Sequence, residues 1–232
     1  MEKIVLLLIS ILPVYIIIRY VYNKDNEKEP IKLLIKLFIF GILSCIPAVV
    51  LEVLLGNIFG DIEELNLYKL FLYVLICVAF VEEICKWIIV MKTTYNNKEF
   101  DQIYDAIIYS VLVSLGFAFI ENIFYVYDGG ITIGLFRAIS AIPSHAANAI
   151  VMGNYIGLSK IAKINNNSKV YYKNLYLSIF MPVILHTLYD YFIFTGKLAF
   201  IIIFFVFLIY IYYYSINILK KICNNNIKIN NN

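Results

Sequence analysis

Long apolar runs separated by short polar segments fill the chain from its first residues to about residue 219. A helix needs about 20 mostly apolar residues to cross the ~30 Å hydrocarbon core of a bilayer. The pattern therefore predicts an all-α fold, a polytopic membrane helical bundle of about seven transmembrane helices. The predicted spans cover residues 4–22, 33–56, 68–91, 103–127, 132–158, 174–195 and 198–219.

The composition agrees with a membrane protein, since 62% of the residues are hydrophobic and only 15% are charged. A typical soluble domain is about 25% charged. The basic residues form no stripe or patch of the kind that binds nucleic acid, so we exclude nucleic acid as a partner and expect a lipid bilayer instead. We predict a single integral-membrane domain over residues 1–222, followed by a polar, disordered cytoplasmic tail over residues 223–232.

The basic residues near the ends of the predicted spans are distributed unevenly. Cytoplasmic loops of membrane proteins carry an excess of Lys and Arg. One side holds four basic residues, Lys3, Lys69, Arg137 and Lys197. The other side holds twelve: Lys24, Lys28, Lys32, Lys92, Lys98, Lys160, Lys163, Lys169, Lys173, Lys220, Lys221 and Lys228. We therefore expect the N-terminus outside and the C-terminus in the cytoplasm.

Two adjacent carboxylates, Glu82 and Glu83, interrupt the third predicted span. A charge near the middle of a bilayer costs at least ~2.5–3.5 kcal/mol on insertion scales, which points to a functional role. Lys86 lies one helical turn away and reaches either carboxylate. Because neighbouring residues project in different directions, we expect one glutamate to face a cavity and the other to pair with Lys86 or a neighbouring helix. The alternative is a Glu–Lys pair that only neutralises itself.

Three further spans carry polar residues at helical spacing. Glu121 and Asn122 lie in the fourth span, the pair His145 and Asn148 in the fifth, and the pair His186 and Asp190 in the sixth. At a rise of ~1.5 Å per residue, these groups and Glu82 fall in one layer between the membrane centre and its outer side. We therefore predict that four helices form one polar site.

Two aspartates near the other membrane surface, Asp101 and Asp105, are expected to be solvated instead.

This collection of side chains matches the needs of amide hydrolysis. A glutamate supplies a general base, histidines donate hydrogen bonds, and asparagines stabilise an oxyanion. Imidazole and carboxylate are also zinc ligands, with His145, His186 and Glu121 as the candidates. No HExxH motif is present, so the sequence leaves open both a divalent metal such as zinc and a site without metal. A proton-coupled transporter that uses the same cluster as a relay is the alternative function.

The order of these motifs resembles a known family. Glu82-Glu83-x-x-Lys86, Phe117-x-x-x-Glu121-Asn122, His145 and His186-x-x-x-Asp190 are similar to the motifs of the PrsW family. These are bacterial intramembrane proteases of the wider CAAX-protease and bacteriocin-processing superfamily. The resemblance implies residence in the bacterial cell membrane. It also implies site-1 cleavage of a membrane-spanning anti-sigma factor, on the extracytoplasmic side, in regulated intramembrane proteolysis.

The resemblance also implies roles for particular residues. Glu82 and Glu83 would be the catalytic pair, with one of them activating water. Glu121, His145 and His186 would complete the catalytic site, and Asp190 would orient His186. We predict supporting positions for Lys86, Asn122 and Asn148. The resemblance leaves metal dependence open, because members of the superfamily have been described both as metalloproteases and as glutamate proteases.

Overall fold

The computed structural model describes residues 2–225 and 228–229. These residues are almost entirely helical, and no β-strand occurs among them. The α-helices are α1 (Glu2–Lys24), α2 (Ile31–Phe59), α3 (Leu67–Tyr73), α4 (Phe80–Thr94), α5 (Ile103–Ile139), α6 (Ala141–Ile164), α7 (Ser168–Phe194) and α8 (Leu198–Asn225). A short 3₁₀-helix covers Ile62–Glu64, and a π-helix, Val74–Ala79, joins α3 directly to α4.

Local sequence signals explain where several helices begin and end. Gly60 follows α2 with a φ of 79°, and Gly196 follows α7 with a φ of 60°, conformations that L side chains rarely adopt. The side chain of Asn66 accepts a hydrogen bond from the backbone N–H of Lys69 at 2.9 Å and so begins α3. These breaks separate apolar runs that would otherwise be continuous.

The chain reverses direction at Gly130, so that α5 consists of two helical segments joined by a sharp turn. Gly130 has a φ of 72° and a ψ of −166°, outside the helical region. The residues after it return along α5, because a Cβ added to Gly134 would lie 2.8 Å from a methyl group of Val126. The reversal falls between the predicted spans 103–127 and 132–158. It brings the segment 131–139 beside the residues around Glu121.

Among the described residues, five stretches are long and apolar enough to cross a membrane: Val5–Lys24, Ile31–Phe59, Ile103–Ile164, Ser168–Phe194 and Leu198–Asn224. A multi-pass helical membrane protein is therefore confirmed, whereas the count of about seven spans stays a prediction. The third stretch contains both α5 and α6. The predicted span 68–91 is divided by the π-helix into pieces that are each too short to qualify alone.

Apolar side chains cover the outside of the bundle, and its centre is formed by α5 and α6. Leu8, Ile46, Leu54 and Val206 are each more than half exposed. Nearly all side chains of α5 between residues 103 and 118 are buried, where α5 packs against α1, α2 and α6. An apolar exterior around helices with satisfied backbones suits a hydrocarbon environment.

The expectation for Asp105 is wrong, because this side chain is fully buried. Its carboxylate accepts hydrogen bonds from the backbone N–H groups of Asp101 at 2.9 Å and Gln102 at 2.6 Å, at the start of α5. Capping a helix N-terminus explains why this carboxylate is inside rather than in water.

A second carboxyl group near this membrane surface is also buried. Glu29, in the loop before α2, accepts a hydrogen bond from the hydroxyl group of Tyr109, and burial raises the pKa of Glu29 to about 7.

The predicted tail falls partly on residues 226–227 and 230–232, which lie outside the described residues. Residues 223–225 belong to α8. Lys228 forms an ion pair with Glu27 at 2.6 Å, and Ile229 is buried beside the start of α5. The single domain over residues 1–222 stays a prediction.

Two glycines bring α2 and α5 into backbone contact. A Cβ added to Gly41 would lie 2.1 Å from the backbone oxygen of Val113, and one added to Gly116 would lie 2.2 Å from that of Phe38. Small residues permit this close approach in membrane bundles. The contact fixes α2, which carries Glu52, against α5, which carries Glu121.

We expect Gly41→Ala to lower the free energy of unfolding by about 1–3 kcal/mol, because the added methyl group meets backbone that cannot move aside. Unfolding of the purified protein in detergent micelles measures this change. The matched control is Gly56→Ala in the same helix, where the new Cβ would lie 3.5 Å from the ring of Tyr73, an ordinary contact. Equal losses in the two variants would contradict the packing described above.

Candidate active site

A buried ammonium group lies at the centre of the polar cluster. Nζ of Lys86 is 2.9 Å from Oε2 of Glu82 and 2.9 Å from Oε1 of Glu83. It is also 3.3 Å from Nδ1 of His145 and 4.2 Å from the ring centre of Phe117. Lys86 is 1% exposed, so both carboxylates meet their counter-charge in a dry environment. Lys86 therefore forms ion pairs with both glutamates, rather than with only one of them.

His186 lies between two carboxylates contributed by different helices. Its Nδ1 is 2.9 Å from Oε1 of Glu83, and its Nε2 is 3.1 Å from Oδ2 of Asp190. Oε2 of Glu82 is 3.9 Å from the same Nε2. A neutral imidazole donates from one nitrogen only. Two carboxylate neighbours therefore suit a doubly protonated ring, or a ring that binds a cation through one nitrogen.

His145 belongs to a second group of charges around Glu121. Nε2 of His145 is 2.9 Å from Oε2 of Glu121, and Nη2 of Arg137 is 2.8 Å from the other oxygen of that carboxylate. The guanidinium of Arg137 also stacks 3.9 Å from the ring centre of Tyr125. Glu121 is therefore held from both sides, by an imidazole and by a guanidinium.

The two groups of charges form one cluster. The ring centres of His145 and His186 are 5.3 Å apart, and the rings meet edge to face. The structure thus brings together all of the residues predicted as catalytic, from four helices: Glu82 and Glu83 on α4, Glu121 on α5, His145 on α6, and His186 and Asp190 on α7.

The predicted supporting residues have different surroundings. Lys86 lies at the centre of the cluster. Asn122 contacts Arg137, which pairs with Glu121. The side-chain oxygen of Asn122 accepts a hydrogen bond from Nε of Arg137 at 3.2 Å, and its side-chain nitrogen donates one to Ser10 at 3.1 Å. Asn148 is buried, and its Oδ1 has no hydrogen-bond partner among the described residues.

The sequence did not identify Arg137 as a site residue; it is one of the four basic residues placed in loops on the outer side of the predicted topology. The reversal at Gly130 brings Arg137 back to Glu121, and its side chain is only 12% exposed. Without Arg137, the outer side of the predicted topology has three basic residues against twelve. An arginine inside the predicted span 132–158 was the available signal.

A cleft with a volume of about 520 Å³ opens beside the cluster. Glu82, Glu121 and Asp190 line it, and so does Glu52 of α2, which sequence reasoning also missed. The remaining walls are mostly apolar or aromatic: Cys45, Val49, Ile62, Tyr73, Val78, Phe117, Phe124, Tyr125 and Phe194. Glu83 is not among the lining residues. The cleft offers room for an extended peptide segment next to the carboxylates.

The donor set fits a divalent metal ion. Two groups have ligand atoms within 4.8 Å of one another: Glu82 with Glu121 and His145, and Glu82 with Glu83 and His186. Imidazole nitrogens and carboxylate oxygens are the ligands of catalytic zinc, which takes three protein ligands and keeps a position open. Oε2 of Glu83 is buried without a hydrogen-bond partner among the described residues, so this oxygen is also available as a metal ligand.

Comparison with known proteins points to one family. The model of a family described as "PrsW family intramembrane metalloprotease" matches residues 29–215. A protein named Protease PrsW from Oceanobacillus iheyensis is 35% identical over 218 residues, which cover 94% of this chain and 96% of that protein. No solved structure matches this chain.

Two further relatives carry the same name. Protease PrsW of Clostridioides difficile is 32% identical, with 98% of this chain and 95% of the relative covered. Protease PrsW of Bacillus subtilis is 30% identical, with 91% and 93% covered. These matches indicate a peptidase rather than the transporter considered from the sequence.

We expect Lys86→Met to be strongly destabilising, by about 3–5 kcal/mol, because it leaves two neighbouring buried carboxylates without their shared counter-charge. Thermal unfolding in detergent measures the loss. Lys92→Met is the matched control, since Lys92 lies exposed on the same helix.

Adding Glu83→Gln to Lys86→Met removes one uncompensated charge and should recover part of that stability. A Lys86→Met variant as stable as Lys92→Met, or a double variant without recovery, would show that the ammonium does not hold the cluster together.

Proposed function

We propose that this chain, which belongs to the PrsW family of intramembrane proteases, hydrolyses a peptide bond of a membrane-spanning protein at its carboxylate–histidine cluster. The observation that carries this proposal is the meeting of carboxylates and imidazoles from four helices beside a cleft of about 520 Å³. Such a site holds a substrate segment, water and a general base in one place that is shielded from bulk solvent.

Glu82 is the proposed general base. It lines the cleft, and its Oε2 accepts from Lys86 whereas Oε1 has no hydrogen-bond partner among the described residues. In the proposed reaction, Oε1 takes a proton from the water that attacks the scissile carbonyl carbon. The same carboxyl group then gives the proton to the leaving amine as the C–N bond breaks. Glu83 does not line the cleft, which favours a positioning role for it.

The surrounding charges have distinct proposed tasks. Glu83 holds Lys86 and His186 in place through contacts of 2.9 Å to each. His145 and His186 are the proposed hydrogen-bond donors for the developing oxyanion. Asp190 keeps His186 oriented through the 3.1 Å contact at Nε2.

A divalent metal ion fits this scheme, and the family description supports one. The residues that would hold it are Glu82 with Glu121 and His145, or Glu82 with Glu83 and His186. When bound, such an ion acidifies water and polarises the scissile carbonyl.

The proposed substrate is an anti-sigma factor with one membrane span, cut at its first site on the extracytoplasmic side. The family resemblance supports this substrate. The distribution of basic residues supports the orientation, with the N-terminus outside and the C-terminus in the cytoplasm. We further propose seven spans, in which the segment 67–94 crosses once and α5 and α6 cross separately.

We expect Glu82→Gln, Glu83→Gln and His186→Ala each to lower cleavage by about 100-fold or more, since each removes the base or a group that positions it. The measurement follows single-span reporter proteins co-expressed with the full-length chain in a bacterial membrane, with insertion of every variant verified. The matched control is Glu64→Gln, which changes an exposed carboxylate of the 3₁₀-helix. Undiminished cleavage by all three cluster variants would reject the proposal.

We also expect the purified protein to contain about one equivalent of a divalent metal ion, which chelation removes together with activity. Elemental analysis of the protein measures the metal directly. His145→Ala and Glu121→Gln should each lower the metal content, whereas Glu64→Gln should not. A wild-type protein that is active and free of metal would instead establish a purely glutamate-dependent hydrolase.

A further inference from the structure

The charges around the cleft do not balance within the protein. The cluster and the cleft contain five carboxylates, from Glu52, Glu82, Glu83, Glu121 and Asp190. They face four basic side chains, from Lys86, Arg137, His145 and His186. Even if both imidazoles are protonated on both nitrogens, one carboxyl group has no basic counterpart among the described side chains.

The uncompensated carboxylate is identifiable from the contacts. Each of the other four forms at least one ion pair of 3.1 Å or less. Among the described residues, Glu52 has neither an ion pair nor a side-chain hydrogen bond, and it is half-buried at the cleft wall. Within the part of the chain that the structure describes, no lysine or arginine lines the cleft.

A carboxylate without a partner is costly on a membrane-embedded helix. A residue that serves only packing does not need a charge, and α2 is otherwise apolar from Cys45 to Leu55. Because Glu52 faces the cleft, a group that enters the cleft is in a position to supply the missing positive charge.

We propose that Glu52 is a specificity residue that binds a lysine or arginine side chain of the substrate, close to the peptide bond that is cut. This inference rests on the proposed protease function and names the chemical class of its substrate: a segment with a basic residue that enters the cleft with its charge paired to Glu52. The walls of Val49, Phe124 and Phe194 contact the apolar stem of such a side chain.

The first experiment uses the full-length chain and a set of single-span reporters. The reporters differ at one scanned position near the outer end of their span, which is Lys, Gln or Glu. We expect the wild-type chain to prefer Lys over Gln at one or two positions by about tenfold, the strength of a charge-assisted hydrogen bond. Glu52→Gln should abolish this preference, and Glu52→Lys should reverse it toward Glu.

Glu64→Gln is the control and should keep the wild-type preference. A preference for Lys that survives in Glu52→Gln, or a wild-type chain that does not distinguish Lys from Gln at any position, would overturn the inference. If no reporter is cleaved in a Glu82-dependent way, the proposed function itself fails.

The second experiment tests Glu52 without catalysis. Val49 lies one helical turn before Glu52 and lines the same cleft. In Val49→Cys, the rates of modification by a trimethylammonium-ethyl and a sulfonatoethyl methanethiosulfonate are compared by mass spectrometry of the peptide containing position 49. Adding Glu52→Gln should lower the cation-to-anion rate ratio by about tenfold, because the nearest negative charge is lost. A ratio that does not change would overturn the inference, whatever the reporters show.

Discussion

Every ionised group in this bundle requires a partner, because the hydrocarbon around it solvates no charge. Nζ of Lys86 meets that constraint for two carboxylates and lies 3.3 Å from an imidazole of another helix. A single ammonium therefore links the adjacent pair Glu82 and Glu83 to α6, and through His186 the same carboxylates are linked to α7. The site exists as a unit because each of its members compensates a neighbour.

The backbone gives this cluster its shape. The π-helix directly precedes α4, which carries Glu82 and Glu83, and such distortions occur often at functional sites. The reversal at Gly130 returns Arg137 to Glu121, and Asn122 extends the network to Ser10 of α1. The contact at Gly41 and Gly116 packs α2 against α5, and both helices contribute residues to the cleft. Elements distant in the sequence thus hold a few carboxylates in defined positions.

For a member of the PrsW family, this arrangement connects the proposed catalysis with the proposed recognition of a substrate. Glu82 has an oxygen free of hydrogen bonds to the described residues and lines the cleft, whereas Glu83 is enclosed by Lys86 and His186. Adjacent residues of the same type therefore have different surroundings and different proposed tasks. In the proposed recognition, Glu52 extends the same pairing of charges to the substrate, since an incoming basic side chain would supply the partner that Glu52 lacks.

The sequence by itself determined that the chain is a helical membrane protein, and it identified Glu82, Glu83, Glu121, His145, His186 and Asp190, because charged and polar residues inside apolar runs are expensive enough to stand out. The spacing of Lys86 from the two glutamates also followed from helix periodicity. The tertiary structure alone decided that Arg137 pairs with Glu121, that Asp105 is buried and that Glu52 faces the cleft. The position of a residue within its apolar run indicates how deep it lies along its own helix. The partner across the bundle depends on how that helix is rotated and on where the chain turns back, and one helix's sequence does not contain this information.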